Sequence, residues 1–319
     1  MEESHEETPI SESDPPPPAL PTVRVDVDPT DSAGIVRISY DDAYPPRVFF
    51  DTNVILGLGK AGEQALRRLK AERCFRFRFS MLNFVELLSH LDDPPSKETR
   101  TPFMKYQAAF RRVHSIFDGV LPSAESALMY DVGLIEHTGK NWIVDGASVQ
   151  HQVEVIAKAG TLGDVRKAGL NPAHYKKLRE IDANSFLGVV AEARHTIKDV
   201  VVDYTAGGRL LRRFIGFLIF RASSGAIRLE TLCVDQQLAV FAFFERAGGK
   251  MFLTHFVKLL DRVIKTRAKD DANDFYDMLQ LLLLRDRNLL FVTDDRAFFK
   301  YYAGAEHHRV VRWKGFKDS

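Results

Sequence analysis

The sequence has little cysteine, no long apolar run and almost no net charge. Its two cysteines, Cys74 and Cys233, stand far apart in apolar contexts, so neither a disulfide framework nor a thiolate metal site is indicated. The longest apolar runs, 214–220 and 238–244, are seven residues each, too short for a membrane span. The first residues are acidic and lack the apolar stretch of a targeting sequence. These absences favour a cytoplasmic protein with no membrane contact.

The net charge of +1 conceals an uneven distribution. Residues 1–30 contain eight acids and one base, so they carry −7 and the remaining 289 residues carry +8. The tail also includes four consecutive prolines at 15–18. We expect residues 1–30 to be disordered, because so polar a segment has too little apolar surface to bury. The basic remainder is expected to attract polyanions.

Both ends of the chain alternate apolar strands with helical patterns. This alternation is typical of an α/β protein with a mostly parallel central sheet flanked by helices. From about 139 to 249, helical patterns alternate with glycine-rich breaks, which we interpret as a largely helical insertion that also contains two candidate strands, 209–220 and 227–234. The strands predicted outside this region are 34–40, 47–50, 75–79, 119–122, 289–293 and 309–313.

Acidic residues follow two of the predicted strands. Asp51 comes directly after strand 47–50, and Asp295, preceded by Asp294, follows strand 289–293. Open α/β sheets place their ligand sites at the carboxyl ends of parallel strands, so these acids are expected to lie at one edge of the sheet.

Two predicted helices carry further acids. Asp277 shares a helical stripe with Leu281 and Leu284, which should face the core, and Asp274 lies one turn earlier. Glu86 stands near the start of a helix that is apolar beyond it. A cluster of carboxylates suits phosphodiester hydrolysis, because divalent metals must stabilise the attacking and leaving oxygens. Oxygen ligands alone favour Mg²⁺ or Mn²⁺ over zinc.

Each acid also has a purely structural explanation. Acids in the first turns of a helix complement its dipole. Asn83 and Glu86 have the spacing of a capping box, with Asn in place of Ser or Thr. Paired aspartates after a strand are ordinary turn residues. The joint occurrence of acids at two strand ends and two helix starts favours the functional explanation over these.

The acidic motifs resemble those of the PIN domain, a nuclease family. The family pattern is a strand ending in Asp-x-Asn, a helix with Glu, a helix with Asp and a strand ending in Thr-x-Asp. Here it corresponds to Asp51-Thr-Asn53, to Glu86, to Asp277 and to Thr293-Asp-Asp295. Asp277 and Asp295 are 18 residues apart, the interval that the family commonly shows, which selects them over Asp274 and Asp294.

The resemblance implies a ribonuclease with a three-layer α/β/α fold. Asp51, Glu86, Asp277 and Asp295 would be the catalytic acids that bind Mg²⁺ or Mn²⁺, with Asp274 and Asp294 as reserve ligands. Thr52, Asn53 and Thr293 would orient carboxylates or a phosphate. Because clustered carboxylates repel, at least one should bind a proton more readily than it does in water.

The chain departs from the compact family pattern in one respect, since 191 residues separate Glu86 from Asp277. We therefore expect a PIN-like first part at 31–137, an insertion at 138–262 and a PIN-like second part at 263–319. The insertion leaves the substrate open. Single-stranded or structured RNA is the expected partner, and a homodimer or a protein partner bound through the insertion or the acidic tail stays open.

A basic stripe precedes the third acid. Lys258, Arg262, Lys265 and Lys269 follow helical spacing on one face, opposite apolar residues such as Phe256 and Leu260. The stripe is either a solvated helix face or a track for the phosphates of a nucleic acid.

Two further motifs bear on other functions. Gly57-Leu-Gly59-Lys-Ala-Gly62 matches a dinucleotide-binding loop, but no acid stands about 20 residues further on, as that fingerprint requires. A phosphatase with a strand-end nucleophile would need Asp at position 53, where this chain has Asn. Within the PIN resemblance, a DNA flap or single-strand nuclease and a catalytically silent RNA-binding or scaffold protein are the alternatives.

Overall fold

The structure is a computed structural model that describes residues 23–27, 36–95, 101–134, 146–196, 204–223, 225–245, 247–266, 273–300 and 309–319. Five parallel strands form its central sheet: β3 (Arg47–Phe50), β4 (Arg76–Ser80), β5 (Val120–Leu121), β6 (Leu289–Thr293) and β7 (Val310–Arg312). Their order is β5-β4-β3-β6-β7. Helices cover both faces of this sheet, which confirms the predicted α/β fold class.

The alternation of side chains along β3 explains the two helical layers. Val48 and Phe50 point to one face and Phe49 to the other, and all three are fully buried. Every residue of β6 is buried as well, as expected for a parallel strand covered on both sides. Phe49 stacks on Phe291 of β6 at 4.6 Å between ring centroids, within the first of two apolar cores.

The second core, around Val48 and Phe50, is formed by helices from both ends of the chain. The gap between β3 and β4 holds two helices, and further helices follow β4. The helices of this layer are α1 (Thr52–Gly57), α2 (Lys60–Arg73), α3 (Met81–Ser89), α4 (Pro102–Ile116), α6 (Gly146–Lys158), α7 (Leu162–Lys167) and α14 (Trp313–Lys317).

The first core, around Phe49, is covered by a second set of helices. Those of the middle region dominate it, with Phe186, Phe214 and Phe252 fully buried. The helices of this layer are α5 (Ala124–Asp131), α8 (Pro172–Thr196), α9 (Tyr204–Ala222), α10 (Val234–Glu245), α11 (Ala247–Thr266), α12 (Asn273–Leu282) and α13 (Arg296–Lys300). Residues of the expected insertion, 138–262, thus pack against both faces of the sheet.

The two candidate strands of the middle region are wrong. Residues 209–220 belong to α9, and 227–234 contain a 3-10 turn, Leu229–Thr231, before α10 begins. The buried positions of α9, which include Phe214, Ile215, Leu218 and Ile219, recur at helical spacing, so they form one stripe against the core.

The expectation of a disordered tail over 1–30 is wrong for Arg24–Val27. These residues form β1, which pairs antiparallel with β2 (Val36–Ser39). Val23 and Val25 are 2% exposed, so alternating apolar side chains give this short segment a face to bury. The rest of 1–30 lies outside the described residues. No helix in the described part of the chain is long and apolar enough to cross a membrane.

Candidate active site at the ends of the central strands

β3 and β6 lie side by side at the centre of the sheet, and the chain leaves them in opposite directions. β4 and β5 follow on the β3 side, and β7 follows on the β6 side. Such a switch point opens a crevice beyond the carboxyl ends of the two strands. Asp51 is the first residue after β3, and its N–H donates to the Val292 carbonyl at 2.9 Å. Asp295 stands two residues after β6, at the same edge.

Asp51 is a buried carboxylate, with only 4% of its surface exposed. Thr293 Oγ1 donates to Asp51 Oδ2 at 2.9 Å. Burial, together with the charges of Glu86 and Asp295, raises the pKa of Asp51 to about 6 despite the hydrogen bond from Thr293, which lowers it. Asp51 therefore meets the expectation that one carboxyl binds a proton more readily, although burial contributes more than repulsion.

Glu86 does not take part in a capping box, so that structural explanation is wrong. The helix N-cap is Ser80, whose hydroxyl accepts the Asn83 N–H at 3.0 Å, while the Asn83 side chain accepts the Ser80 N–H. Glu86 lies in the next turn of the helix. Glu86 Oε2 accepts a hydrogen bond from Thr52 Oγ1 at 2.5 Å, and Thr52 Oγ1 accepts one from Asn83 Nδ2 at 2.9 Å.

Asp295 accepts a hydrogen bond within the turn after β6, and its charge also acts on Asp51. Its Oδ1 accepts the Ala297 N–H at 2.7 Å, which fixes the start of α13, and its own N–H donates to Thr293 Oγ1 at 3.0 Å. The same threonine hydroxyl thus joins Asp51 to Asp295. Asp294 is exposed and accepts the Trp313 N–H at 3.2 Å, a contact that ties the loop to α14.

The structure therefore groups Asp51, Glu86 and Asp295, with Thr52 and Thr293 between them. Asp277 is half-buried on α12, and Leu281 and Leu284 of its stripe are fully buried, as the helical spacing predicts. The side chain of Asp274 lies outside the described residues. Asn53 is exposed at the start of α1.

Arg179 is a residue of the site that the sequence did not indicate. It comes from α8, in the middle region, and its Nη2 lies 4.0 Å from Glu86 Oε1. Its Nη1 donates to Ser89 Oγ at 3.0 Å, and its guanidinium lies over the Tyr276 ring at 5.1 Å. Tyr276 directly precedes Asp277, so Arg179 connects Glu86 to α12. No local signal marks this arginine, because only the packing of α8 on α3 brings it there.

The donors at this edge suit a hard divalent cation, since all are carboxylate or hydroxyl oxygens. Within the described ranges, no three His, Cys, Asp or Glu side chains are placed so that they could hold one metal ion together. Mg²⁺ is commonly bound by one or two carboxylates, keeps several waters and takes further oxygens from substrate phosphates. Asp51 with Glu86 or Asp295 provides donors of this kind.

The basic stripe can be followed over part of its length. Lys258 is exposed on α11, and Arg262 is half-buried. Phe256 and Leu260 are buried on the apolar side, as predicted. The Lys265 side chain and Lys269 lie outside the described residues.

The glycine-rich segment has the wrong context for dinucleotide binding. Gly57 ends α1, and Gly59 is the N-cap of α2, so the segment joins two helices instead of a strand and a helix. Gly62 lies within α2, where a Cβ would meet the Trp313 ring at 3.2 Å. This glycine therefore serves close helix packing.

Comparisons of the chain with protein-family models, with curated proteins and with solved structures gave no match.

Proposed function

We propose that the protein is a metal-dependent nuclease of the PIN type that hydrolyses phosphodiester bonds, with RNA as its substrate. The observation that supports this most directly is Asp51, a buried carboxylate at the switch point of the sheet whose pKa is raised to about 6 by burial and by two further acids. A carboxyl whose pKa is raised in this way by burial and by neighbouring charges is common at functional sites.

In this proposal Asp51, Glu86, Asp277 and Asp295 are the acids that would hold Mg²⁺ or Mn²⁺, no more than two to each ion, and Asp274 and Asp294 remain reserve ligands. The bound metal supplies stabilisation of the charge that develops on the attacking and leaving oxygens. Thr293 holds Asp51 and Thr52 holds Glu86, each through a hydroxyl that donates to the carboxylate. These threonines fix the directions of the carboxylate oxygens, and Asn53 is available to contact the substrate from the solvent side.

The substrate is proposed to reach the site along basic surface. Lys258 and Arg262 on α11, with Lys265 and Lys269 further along the sequence, are the proposed phosphate contacts. RNA is preferred over DNA on the family resemblance alone, so matched RNA and DNA substrates belong in the same assay.

A second candidate is a catalytically silent PIN-like protein that binds RNA or serves as a scaffold. One observation favours it, because the described carboxylates do not form a group of three around one position. Glu86 is held instead by Thr52 and lies near Arg179.

The deciding experiment measures Mn²⁺-dependent cleavage of labelled single-stranded RNA by wild type and by Asp51→Asn. We expect the substitution to abolish cleavage while thermal melting shows a folded protein, and EDTA to do the same to wild type. Asp42→Asn, which removes an exposed acid, is the matched control and should cut at the wild-type rate.

Two results would count against the proposal. If Asp51→Asn cuts as fast as wild type, the active site is misplaced. If wild type neither cuts nor gains melting temperature on addition of Mg²⁺ or Mn²⁺, the silent protein is the better description, since a ligand that binds the folded state must stabilise it.

A further inference from the structure

A pocket of about 280 Å³ opens beside Glu86, between α3 and α8. Ser89 and His90 contribute to its α3 wall, while Lys176 and Arg179 contribute to its α8 wall. Glu86 belongs both to this pocket and to the acidic edge, the group formed by Asp51, Glu86 and Asp295 at the ends of the central strands, so whatever binds in the pocket lies next to the proposed site of cleavage.

Arg179 is held in this pocket by contacts from three directions. Its Nη1 donates to Ser89 Oγ at 3.0 Å and to His90 Nε2 at 2.9 Å, its Nη2 lies 4.0 Å from Glu86, and Tyr276 supports the plane of the guanidinium. Only 13% of the side chain is exposed. A guanidinium that is held in one orientation loses little further freedom when it binds an anion.

The support of Arg179 extends into the protein through Tyr276. Tyr276 Oη donates to Asp182 Oδ2 at 2.9 Å, and Asp182 accepts two hydrogen bonds from Arg221 at 2.7 and 2.6 Å. Arg221 also pairs with Glu125 of α5. This chain of contacts joins α5, α8, α9 and α12, so the surface under Arg179 is fixed by several elements.

The acidic edge poses an electrostatic difficulty for a nucleic acid. Asp51, Glu86 and Asp295 would repel a phosphate backbone, because charges of the same sign raise the energy of every approach. Lys176 cannot offset all of this repulsion, since it pairs with Asp93 at 2.7 Å. Arg179 is a cation that stands directly beside one of these acids, Glu86.

We propose that Arg179 binds a phosphate of single-stranded RNA in this pocket, one step along the strand from the phosphate that is cleaved. This inference rests on the proposed nuclease function and names the contact through which the middle region recognises the substrate. A guanidinium presents paired donors that match phosphate oxygens, and an incoming phosphate replaces the distant Glu86 as its partner. The alternative is that Arg179 only fastens α8 to α3.

The test measures binding of a fluorescein-labelled single-stranded RNA across a salt series, with Asp51→Asn as the non-cleaving background. Arg179→Gln should weaken binding about tenfold or more at low salt, because a charge-assisted contact is lost. It should also lower the log–log salt slope by about 0.7, the value for one phosphate contact on a single strand. The matched control is Arg213→Gln, which removes an exposed arginine of α9 that pairs with Glu192 of α8, and it should change neither quantity.

A second variant gives an effect of opposite sign. Glu180 is exposed, lines the pocket and directly follows Arg179. Glu180→Gln removes a negative charge near the bound phosphate, so it should tighten RNA binding by up to about fivefold at low salt, with less effect at high salt. No gain is expected if no phosphate of the bound RNA lies near the pocket.

The outcomes separate this inference from the proposed function. If the background protein binds RNA while Arg179→Gln keeps both affinity and slope, the Arg179 contact is wrong and the nuclease proposal stands. If no RNA binds and wild type does not cut, both fail. Should Arg179→Gln melt too early to assay, Glu180→Gln decides, and unchanged affinity in that variant would overturn the inference.

Discussion

Two groups of acids in this protein differ in the charge of their neighbours. In the first, Glu125 and Asp182 surround the Arg221 guanidinium, and Tyr276 donates a further hydrogen bond to Asp182. In the second, Asp51 at the sheet edge receives hydrogen bonds from neutral donors, and the charges that act on it are those of Glu86 and Asp295. We call the first group the paired network and the second the acidic edge.

The charges around each group indicate its role. Burial raises the pKa of Asp182 to about 6 as well, but its charge lies against the Arg221 guanidinium, and this pairing joins helices. A buried acid whose neighbours are also acids costs stability until a cation arrives from outside. The paired network therefore fastens helices of the middle region to α5 and α12, while the acidic edge is the group that we propose to bind a cation. Stability measurements on single variants can test this contrast directly.

The largest effect is expected at the paired network. Arg221→Met should lower the free energy of unfolding by about 3–4 kcal/mol, because it leaves the Glu125 and Asp182 carboxylates without their common cation. Glu125 is only 4% exposed, so water cannot replace the lost partner. Urea unfolding at neutral pH measures the change.

The control for this prediction is Arg213→Met, which breaks an exposed pair with Glu192. It should change the free energy of unfolding by less than about 0.5 kcal/mol, as exposed pairs contribute little. Equal losses of free energy in the two variants would mean that the paired network stabilises the fold no more than a surface ion pair does.

A smaller effect of opposite sign is expected at the acidic edge. In the absence of metal, Asp51→Asn should raise the free energy of unfolding at pH 8 by about 2–3 kcal/mol, the equivalent of a pKa difference of two units. The pKa of Asp51 rises from 3.8 to about 6 on folding, so the folded state binds this proton more tightly. The stability that this tighter proton binding contributes is fully present below pH 3.8 and is lost as the pH rises through about 6.

The gain from Asp51→Asn should therefore shrink as the pH falls from 8 to 4, where wild type carries a neutral carboxyl as well. Unfolding curves across this range, in EDTA, give the profile. Asp42→Asn removes an exposed acid and should show no comparable rise at pH 8. If Asp51→Asn instead lowers the free energy of unfolding at pH 8, the ionised Asp51 carboxylate stabilises the fold and the prediction is wrong.

Much of this contrast could be predicted from the sequence at the ends of the chain. The strands before Asp51 and Asp295 are short apolar runs bounded by turn residues, and such local patterns also determine the parallel sheet. The helical stripe that Asp277 forms with Leu281 and Leu284 could be predicted for the same reason. The start of the helix that carries Glu86 was predicted less well, since Ser80, still inside strand β4, is its N-cap.

The rest depended on contacts between residues far apart in sequence. Neither the pairing of Arg221 with Glu125 and Asp182 nor the approach of Arg179 to Glu86 has a local signature. The high apolar content of residues 209–220 favours a strand. The structure has a helix there, because the buried positions recur at helical spacing. The short strand Arg24–Val27 was missed because its acidic surroundings dominate the composition.

A single hydroxyl, that of Thr293, is expected to have a weaker influence on stability than the charges of either group. Thr293 is fully buried, and its Oγ1 donates to Asp51 Oδ2 while it accepts the Asp295 N–H. Thr293→Val keeps the volume and removes both bonds, so it should lower the free energy of unfolding at pH 8 by about 1–2 kcal/mol. It should also raise the pKa of Asp51 further, because the bond from Thr293 favours the ionised carboxylate. The fall in stability with rising pH should then occur at a higher pH than in wild type. Thr293→Ser retains the hydroxyl and should leave that midpoint in place, so a midpoint that moves equally in both variants would show that Thr293 acts through packing and not through its bond to Asp51.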